Sequence, residues 1–202
     1  ENQFDTIYHE HFSYLSLTAL ETIFKENGLQ IFDVEEHTTH GGSLRLFAQR
    51  SDTGVQIVSE QVIKLRKREM DAGMNSDNFY KNFQEKANIV KDDLLNFLIK
   101  AKQDGKKVVA YGAAAKGNTL MNYAGVRPDL LSYVVDKSPS KQGKYMPGSR
   151  IPIHTEQFLK DDKPDYVLIL PWNLKNEIIK QLSYIQVNGG NFVVAVPKLE
   201  II

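Results

Sequence analysis

The side chains best suited to acid–base chemistry lie near the start of the chain, in the run Tyr8-His9-Glu10-His11. An unperturbed histidine side chain titrates near neutrality, so an imidazole in this run suits a general base. Glu10 can orient that imidazole, and Tyr8 can donate a hydrogen bond to a developing oxyanion. Two roles stay open from the residues alone. The run is either a catalytic or substrate-positioning loop, or a loop whose polar side chains only satisfy backbone groups before a helix.

A second polar cluster lies in the turn between two predicted strands, where His40 precedes Gly41-Gly42 and Arg45. A metal site built from both clusters is the least favoured alternative, because its histidines fall on two loops in no known ligand spacing. We therefore expect no metal in this chain. The histidines concerned are His9, His11, His37 and His40.

The third candidate is a glycine loop, Gly112-Ala113-Ala114-Ala115-Lys116-Gly117, which directly follows a strand-like apolar run. Its spacing is that of G-x-G-x-x-G, a turn that presents a helix N-terminus to a nucleotide phosphate. Ala114 takes the second glycine position, and its Cβ would intrude where a dinucleotide pyrophosphate lies, which argues against NAD. Because the same turn also occurs in domains without a ligand there, a purely structural role stays open.

Further candidates follow the predicted strands. Asp136 ends the strand after the loop, where an acid can accept from ribose hydroxyls. Lys116 and Lys141 can add cationic contacts to phosphate. Trp172 follows a buried strand, at the sheet edge where ligands bind in open α/β folds.

Composition restricts the partners. Among 202 residues, Lys+Arg and Asp+Glu both number 25, and the formal net charge is zero. We therefore expect neither nucleic acid nor an acidic membrane as a partner. The chain has no cysteine and no apolar run of about 20 residues, so we expect a cytoplasmic protein without a membrane span. It begins without Met, and we expect it to be cut from a longer protein.

Three regions differ in pattern. Residues 1–50 hold a helix capped by Ser16 and a strand pair, too little to bury a core of their own, and are expected to be the end of a domain whose front is missing. Residues 51–105 are expected to be a helical bridge. Residues 106–202 alternate short Val/Ile/Leu-rich strands with helices, which predicts a Rossmann-like parallel sheet. The predicted fold class is therefore α/β.

The bridge is expected to contain two amphipathic helices. The first has Val55, Val58, Val62 and Leu65 on one face. The second runs over residues 77–104 after a cap at Asn75-Ser76-Asp77, and is also a candidate homodimer interface. Its apolar stripe is Phe79, Phe83, Ala87, Val90, Leu94, Phe97 and Ala101.

Several segments together resemble the S-adenosylmethionine-dependent C-methyltransferases that act on nucleotide-linked keto-deoxysugars. The resemblance extends in order along essentially the whole chain. Its motifs are Phe4 to Tyr14, His40 to Arg45, Tyr111 to Asn122, Lys141 to Tyr145 with Pro147-Gly148 and Ile151-Pro152-Ile153, and Pro171 to Leu174.

The resemblance implies a three-part enzyme: a zinc-binding segment, a domain that binds S-adenosylmethionine, and a Rossmann-like domain that helps to hold the nucleotide sugar. This chain lacks the cysteines of the first part and the glycine-rich start of the second. The resemblance therefore implies that residues 1–50 are the truncated end of a class I methyltransferase domain, its terminal helix and hairpin, and that residues 106–202 are the whole C-terminal domain. Zinc is therefore expected only in the full-length protein, S-adenosylmethionine is expected mainly on the missing N-terminal part, and the fragment alone is expected to be inactive.

The resemblance also implies residue roles. His11 is the expected base, assisted by Tyr8 and Glu10. His40 and Arg45 are expected near the substrate. Candidates for the nucleotide diphosphate are Gly112, Lys116, Gly117 and Asn118. Further candidates for contacts with the nucleotide sugar are Asp136, Lys141 and Trp172.

The alternative function is a non-catalytic nucleotide or coenzyme A binding module. The stretch from Asp136 to Gly143 is close to a pattern found in coenzyme A binding domains.

Overall fold

The chain forms two compact units in a computed structural model. The model describes residues 4, 11–38 and 42–202. One unit is Tyr8–Gln84, and the other combines Glu1–Ile7 with Glu85–Ile202. The division falls within residues 51–105, and the bridging role of that segment stays a prediction.

The Tyr8–Gln84 unit contains a two-stranded antiparallel sheet and helices that cover it. Its elements are α1 (Leu17–Glu26), β1 (Leu29–His37), β2 (Ser43–Arg50), α2 (Glu60–Asp71) and α3 (Asp77–Lys81). Helix α1 begins where the sequence predicts, because the Ser16 side chain accepts from the Ala19 N–H at 3.1 Å. The small buried core consists of Leu17, Ile31, Val34, Val62 and Leu65.

The prediction that Val55 belongs to a helix is wrong. Helix α2 begins only at Glu60, after the N-cap Ser59, and Val55 is 86% exposed. The backbone of the segment before α2 does not form a helical turn, because at Gln56 it is hydrogen-bonded to the side chain of Gln49. The Gln56 N–H donates to Gln49 Oε1 at 2.8 Å, and Gln49 Nε2 donates to the Gln56 carbonyl at 2.8 Å.

The single long helix predicted over residues 77–104 is also wrong, because Asn82 separates α3 from α4 (Phe83–Gln103). Asn82 adopts φ −99° and ψ 12°, which departs from helical geometry and ends α3. Phe79 and Phe83 of the predicted stripe are exposed. The buried residues of α4 are Val90, Leu94, Leu98 and Ala101, and they join the core of the second unit.

The second unit is the Rossmann-like domain that the sequence predicts. After α4 its elements are β3 (Val108–Tyr111), α5 (Ala115–Tyr123), β4 (Val134–Val135), β5 (Ile153–His154), α6 (Glu156–Asp162), β6 (Tyr166–Ile169), α7 (Lys175–Gln181), α8 (Tyr184–Val187), β7 (Asn191–Val194) and β8 (Glu200–Ile201). The strand order is β5-β4-β3-β6-β7-β8, with every pair parallel except β7–β8. Because the order reverses between β3 and β6, a crevice is expected at their carboxyl ends.

A hydrophobic core surrounds this sheet, and β3, β4, β6 and β7 are buried on both faces, apart from the first residues of β6 and β7, as the Val-rich runs predict. The edge strand β8 is exposed. Phe4, from the start of the chain, belongs to the same core, and its ring centroid lies 5.8 Å from that of Tyr123. Within the described part of the chain, no helix combines the length and apolar character needed to cross a membrane.

Candidate functional site

The glycine loop lies at the carboxyl end of β3 and packs against the end of β6. Gly112 adopts φ +88°, and a Cβ added there would lie 2.6 Å from Pro171 Cδ. A Cβ added to Gly117 would lie 2.5 Å from Leu170 Cβ. Both glycines therefore allow close packing between the loop and β6, and protein atoms occupy the space that their missing side chains leave.

This packing predicts a stability cost for Gly117→Ala. The added methyl group has to displace Leu170, which is 1% exposed, so we expect a loss of about 1–3 kcal/mol in the free energy of unfolding. Urea denaturation followed by circular dichroism measures it. In a Leu170→Gly background, which also removes the Cβ that the new methyl group meets, the same substitution should cost clearly less. An equal cost in both backgrounds would show that the contact with Leu170 is not the cause.

Asp136, which directly follows the neighbouring strand β4, is hydrogen-bonded to the glycine loop. Its Oδ2 accepts from the Ala113 N–H at 2.7 Å, and its Oδ1 accepts from the Ser138 N–H at 2.8 Å. Lys141 Nζ donates to Asp136 Oδ2 at 3.2 Å and to the Ala113 carbonyl at 2.9 Å. Asp136 and Lys141 thus hold two loops together, a role that the sequence analysis missed. Their predicted contacts with a nucleotide stay predictions.

A cavity of about 470 Å³ opens between the glycine loop and the segment 140–147. Asn118 and Lys141 line it, as do Lys144 and Tyr145, which the sequence analysis did not select as site residues. Two features point to an anionic ligand at its mouth. Among the described residues, its lining has two lysines and no carboxylate, and the N-cap residue of α5, Ala114, provides no side-chain hydrogen bond to the first turn.

The side chains of Lys116 and Trp172 contact each other at the carboxyl end of the sheet. The Lys116 ammonium lies 5.1 Å from the centroid of the Trp172 ring and donates to Asn173 Oδ1. Trp172 is 8% exposed, and its Nε1 is buried without a hydrogen-bond partner among the described residues. These contacts connect the first turn of α5 to the segment after β6.

A polar network lies behind the loop. Gln181 Nε2 donates to the Tyr111 hydroxyl at 2.8 Å and to Glu156 Oε2 at 3.2 Å. Burial, assisted by the charge of Glu156, raises the pKa of Tyr111 to about 12, although the bond from Gln181 acts against it. Tyr111 therefore stays protonated at neutral pH and serves as a fixed support for the loop.

The other predicted residues belong to the Tyr8–Gln84 unit. His11 is exposed, and its ring centroid lies 6.3 Å from that of Tyr14 in an edge-on arrangement. Arg45 Nη1 donates to Glu35 Oε2 at 3.0 Å, and His37 Nε2 lies 3.2 Å from the same oxygen. Tyr8, Glu10 and His40 lie outside the described residues. The model thus groups the seven predicted nucleotide-contacting residues in one unit and places His11 and Arg45 in the other.

Glu69 is a residue of this unit that the sequence analysis missed. Its buried carboxylate accepts from the Leu17 N–H and the Thr18 N–H, both at 2.8 Å, and from Thr18 Oγ1 at 2.6 Å. It therefore holds the N-terminus of α1, just after the loop that carries His11. In the described ranges, no cluster of three or more His, Asp or Glu side chains is arranged to hold a metal ion.

A family model described as the C-methyltransferase C-terminal domain matches residues 38–197. The chain belongs to this family. Among curated proteins, the C-methyltransferase NovU of Streptomyces niveus is 37% identical over 201 residues, which cover 100% of the chain and 48% of NovU. The chain thus spans about half the length of that relative. The region matched by the C-methyltransferase C-terminal domain model includes the glycine loop and the cavity beside it, whereas His11 precedes it.

Proposed function

We propose that the chain acts within an S-adenosylmethionine-dependent C-methyltransferase whose substrate is a nucleotide-linked keto-deoxysugar. In this proposal the Rossmann-like unit holds the nucleotide, and the Tyr8–Gln84 unit contributes the loop with the catalytic base. Family membership and the likeness to NovU support the methyltransferase activity. The resemblance of the sequence motifs supports the class of sugar substrate.

The observation that carries the proposal is the cavity beside α5. It lies between the loop after β3, the first turn of α5 and the segment after β4, close to the carboxyl end of the sheet, where open α/β folds bind ligands. Lys144 places a positive charge at its rim, whereas the charge of Lys141 is already paired with Asp136, and the N-terminus of α5 adds partial positive charge. Positive charge suits a sugar-linked diphosphate and disfavours the sulfonium cation of S-adenosylmethionine, so we assign that cofactor to another part of the enzyme.

The chemistry of C-methylation gives the predicted loop its roles. A base has to remove the proton from the carbon beside the ketone, and we assign this step to His11. Tyr8 would donate a hydrogen bond to the enolate oxygen, and Glu10 would orient the imidazole. S-adenosylmethionine, when bound, supplies the methyl group that the carbanion takes up. Arg45 and His40 are proposed substrate contacts.

Calorimetry with thymidine diphosphate tests the binding role on the 202-residue chain. We expect binding with a dissociation constant of about 1 mM, equivalent to about −4 kcal/mol, because the diphosphate is only one part of the substrate. Lys144→Glu should weaken binding by reversing the charge at the rim. Lys86→Glu, on exposed α4 surface outside the cavity lining, is the matched control. No heat at several millimolar ligand, for a chain shown to be folded, would contradict the proposal.

The alternative of a coenzyme A binding module predicts a different result when coenzyme A and thymidine diphosphate are compared in a thermal-shift assay. Coenzyme A also carries a diphosphate but has no sugar to be methylated. The segment from Asp136 to Gly143 borders the same cavity through Ser140 and Lys141. If coenzyme A stabilises the chain against heat and thymidine diphosphate does not, the alternative is favoured. The reverse result favours the sugar nucleotide.

A further inference from the structure

Tyr14 is an aromatic side chain beside the expected base, and the mechanism described above does not use it. Its ring centroid lies 6.3 Å from that of His11, and the two ring planes are inclined at 76°. This geometry is that of an edge-to-face aromatic pair, which prefers centroid separations of about 4.5–7 Å. The tyrosine ring therefore restricts the orientations that the imidazole can adopt.

The Tyr14 ring lies shortly before an anchored point of the backbone. Two residues later, Ser16 caps α1, and its side chain accepts from a backbone N–H of the first turn at 3.1 Å. Leu17 follows in the buried core, and its N–H donates to the Glu69 carboxylate at 2.8 Å. Tyr14 is closer to this helix start along the chain than His11 is. The contact between the two rings thus extends the support of the helix start toward the base.

An exposed histidine needs such support to act as a base. His11 is exposed and does not belong to the buried core of its unit. An imidazole at a protein surface exchanges among several side-chain conformations. General base catalysis uses only those that place a ring nitrogen within hydrogen-bond distance of the proton to be removed. A contact that holds the ring in place raises the fraction of enzyme molecules in the reactive geometry.

We propose that Tyr14 is a positioning residue for the base, and that it holds the His11 imidazole through the edge-to-face contact of the two rings. This inference rests on the proposed function and deepens it, because it takes His11 as the base and assigns the control of its orientation to Tyr14. The role belongs to the aromatic ring and not to the hydroxyl group. Phenylalanine should therefore replace Tyr14, whereas leucine, which is apolar but has no ring, should not.

Nuclear magnetic resonance on the 202-residue chain tests the contact itself. The imidazole resonances of His11, identified by their absence in His11→Asn, should show a ring-current shift from the tyrosine. We expect Tyr14→Leu to remove this shift and Tyr14→Phe to keep it. Tyr14 is 61% exposed and lies outside the buried core, so both variants should fold like the unmodified chain. Unchanged His11 resonances in Tyr14→Leu would overturn the inference.

The effect on the reaction is measured in the complete methyltransferase, as exchange of the proton beside the ketone for solvent deuterium at saturating substrate. We expect Tyr14→Leu to slow the exchange by about three- to tenfold, the range that an edge-to-face pair contributes, and Tyr14→Phe to keep most of the rate. The affinity for thymidine diphosphate should stay unchanged in both variants. Equal losses of exchange in the two variants would assign the effect to the hydroxyl group, and a loss of affinity alone would assign it to binding. Either result would overturn the inference.

Tyr80→Leu is the matched control, because Tyr80 belongs to the same unit, is 53% exposed and forms an edge-on pair with Phe79 at 4.9 Å. We expect its exchange rate to equal that of the unmodified enzyme, and a loss as large as that of Tyr14→Leu would contradict a specific role of Tyr14. His11→Asn separates the inference from the proposed function. If His11→Asn exchanges the proton at the full rate, the assignment of the base fails and the inference fails with it. If His11→Asn stops the exchange and Tyr14→Leu does not slow it, only the inference fails.

Discussion

Glu69→Ala is expected to lower the free energy of unfolding of the Tyr8–Gln84 unit by about 3 kcal/mol or more. Glu69 is 6% exposed and accepts three hydrogen bonds at the start of α1. Hydrogen bonds to a charged group contribute about 1.5–3 kcal/mol each, and the truncation leaves the buried Leu17 N–H without its acceptor. The lost carboxylate also removes a favourable negative charge from the N-terminus of the helix.

The size of this effect follows from how the first turn of α1 is satisfied. Ser16 caps Ala19, but the two preceding N–H groups, of Leu17 and Thr18, depend on Glu69. Leu17 is fully buried in a core that contains few other residues. A small core has little surplus stability, so the loss should be visible in the whole unit.

Urea denaturation followed by far-UV circular dichroism measures the loss, and amide exchange of Leu17 and Thr18 locates it. Glu60→Ala is the matched control, because Glu60 lies on the same helix, is exposed and, within the described part of the chain, forms an ion pair with Lys64 alone. Its expected effect is within about 0.5 kcal/mol. Glu69→Gln, which keeps one acceptor oxygen, should lie between the two. Similar stabilities for Glu69→Ala and Glu60→Ala would show that the carboxylate does not anchor α1.

The sequence correctly predicted those helices and strands whose positions depend on residues close together in the chain, such as helix caps and apolar runs. Ser16 at the start of α1 and Asn27-Gly28 at its end mark the helix as observed. The apolar runs gave the positions of β3, β4, β6 and β7. Strands β5 and β8 were missed because, unlike β4, neither lies within a continuous apolar run: β5 ends on His154 and β8 begins on Glu200. Their pairing depends on the neighbouring strand and leaves no periodic pattern in the sequence.

The sequence also did not reveal which single side chains contact residues that are distant along the chain. Glu69 follows the basic run Lys64 to Arg68 and there resembles a residue of a solvated helix face, yet its partners lie about fifty positions earlier. Phe4 was assigned with residues 1–50, although it packs into the core of the Rossmann-like unit. Neither contact follows from propensity or spacing, because each is decided by the tertiary fold.

For the candidate site, the sequence located the glycine loop but not the contacts that its residues make within the protein. The glycine pattern located the loop, but it did not reveal that Pro171 and Leu170 fill the space beside Gly112 and Gly117. The acid expected after the second strand is present as Asp136, where three protein donors engage it. That Asn118 Oδ1 is buried without a hydrogen-bond partner among the described residues became apparent only in the structure.

In the complete methyltransferase, His11→Asn is expected to lower turnover by about 10²–10⁴-fold, the usual contribution of a general base. Asparagine retains a polar side chain of similar size and cannot take up the proton. His11 is exposed beside Tyr14 and lies outside the cavity lining, so nucleotide affinity should stay unchanged. Methyl transfer under saturating substrate measures the first quantity, and calorimetry with thymidine diphosphate measures the second.

The assignment of His11 as the base has a signature beyond lost turnover. If His11 removes the proton beside the ketone, the unmodified enzyme should exchange that proton for solvent deuterium, and His11→Asn should stop the exchange. His37→Asn is the matched control, because His37 belongs to the same unit and its Nε2 lies 3.2 Å from Glu35 Oε2. Exchange that persists in His11→Asn with lost methyl transfer would place His11 after proton removal. Full activity in His11→Asn would remove the residue from the mechanism, and the base would then have to be another group.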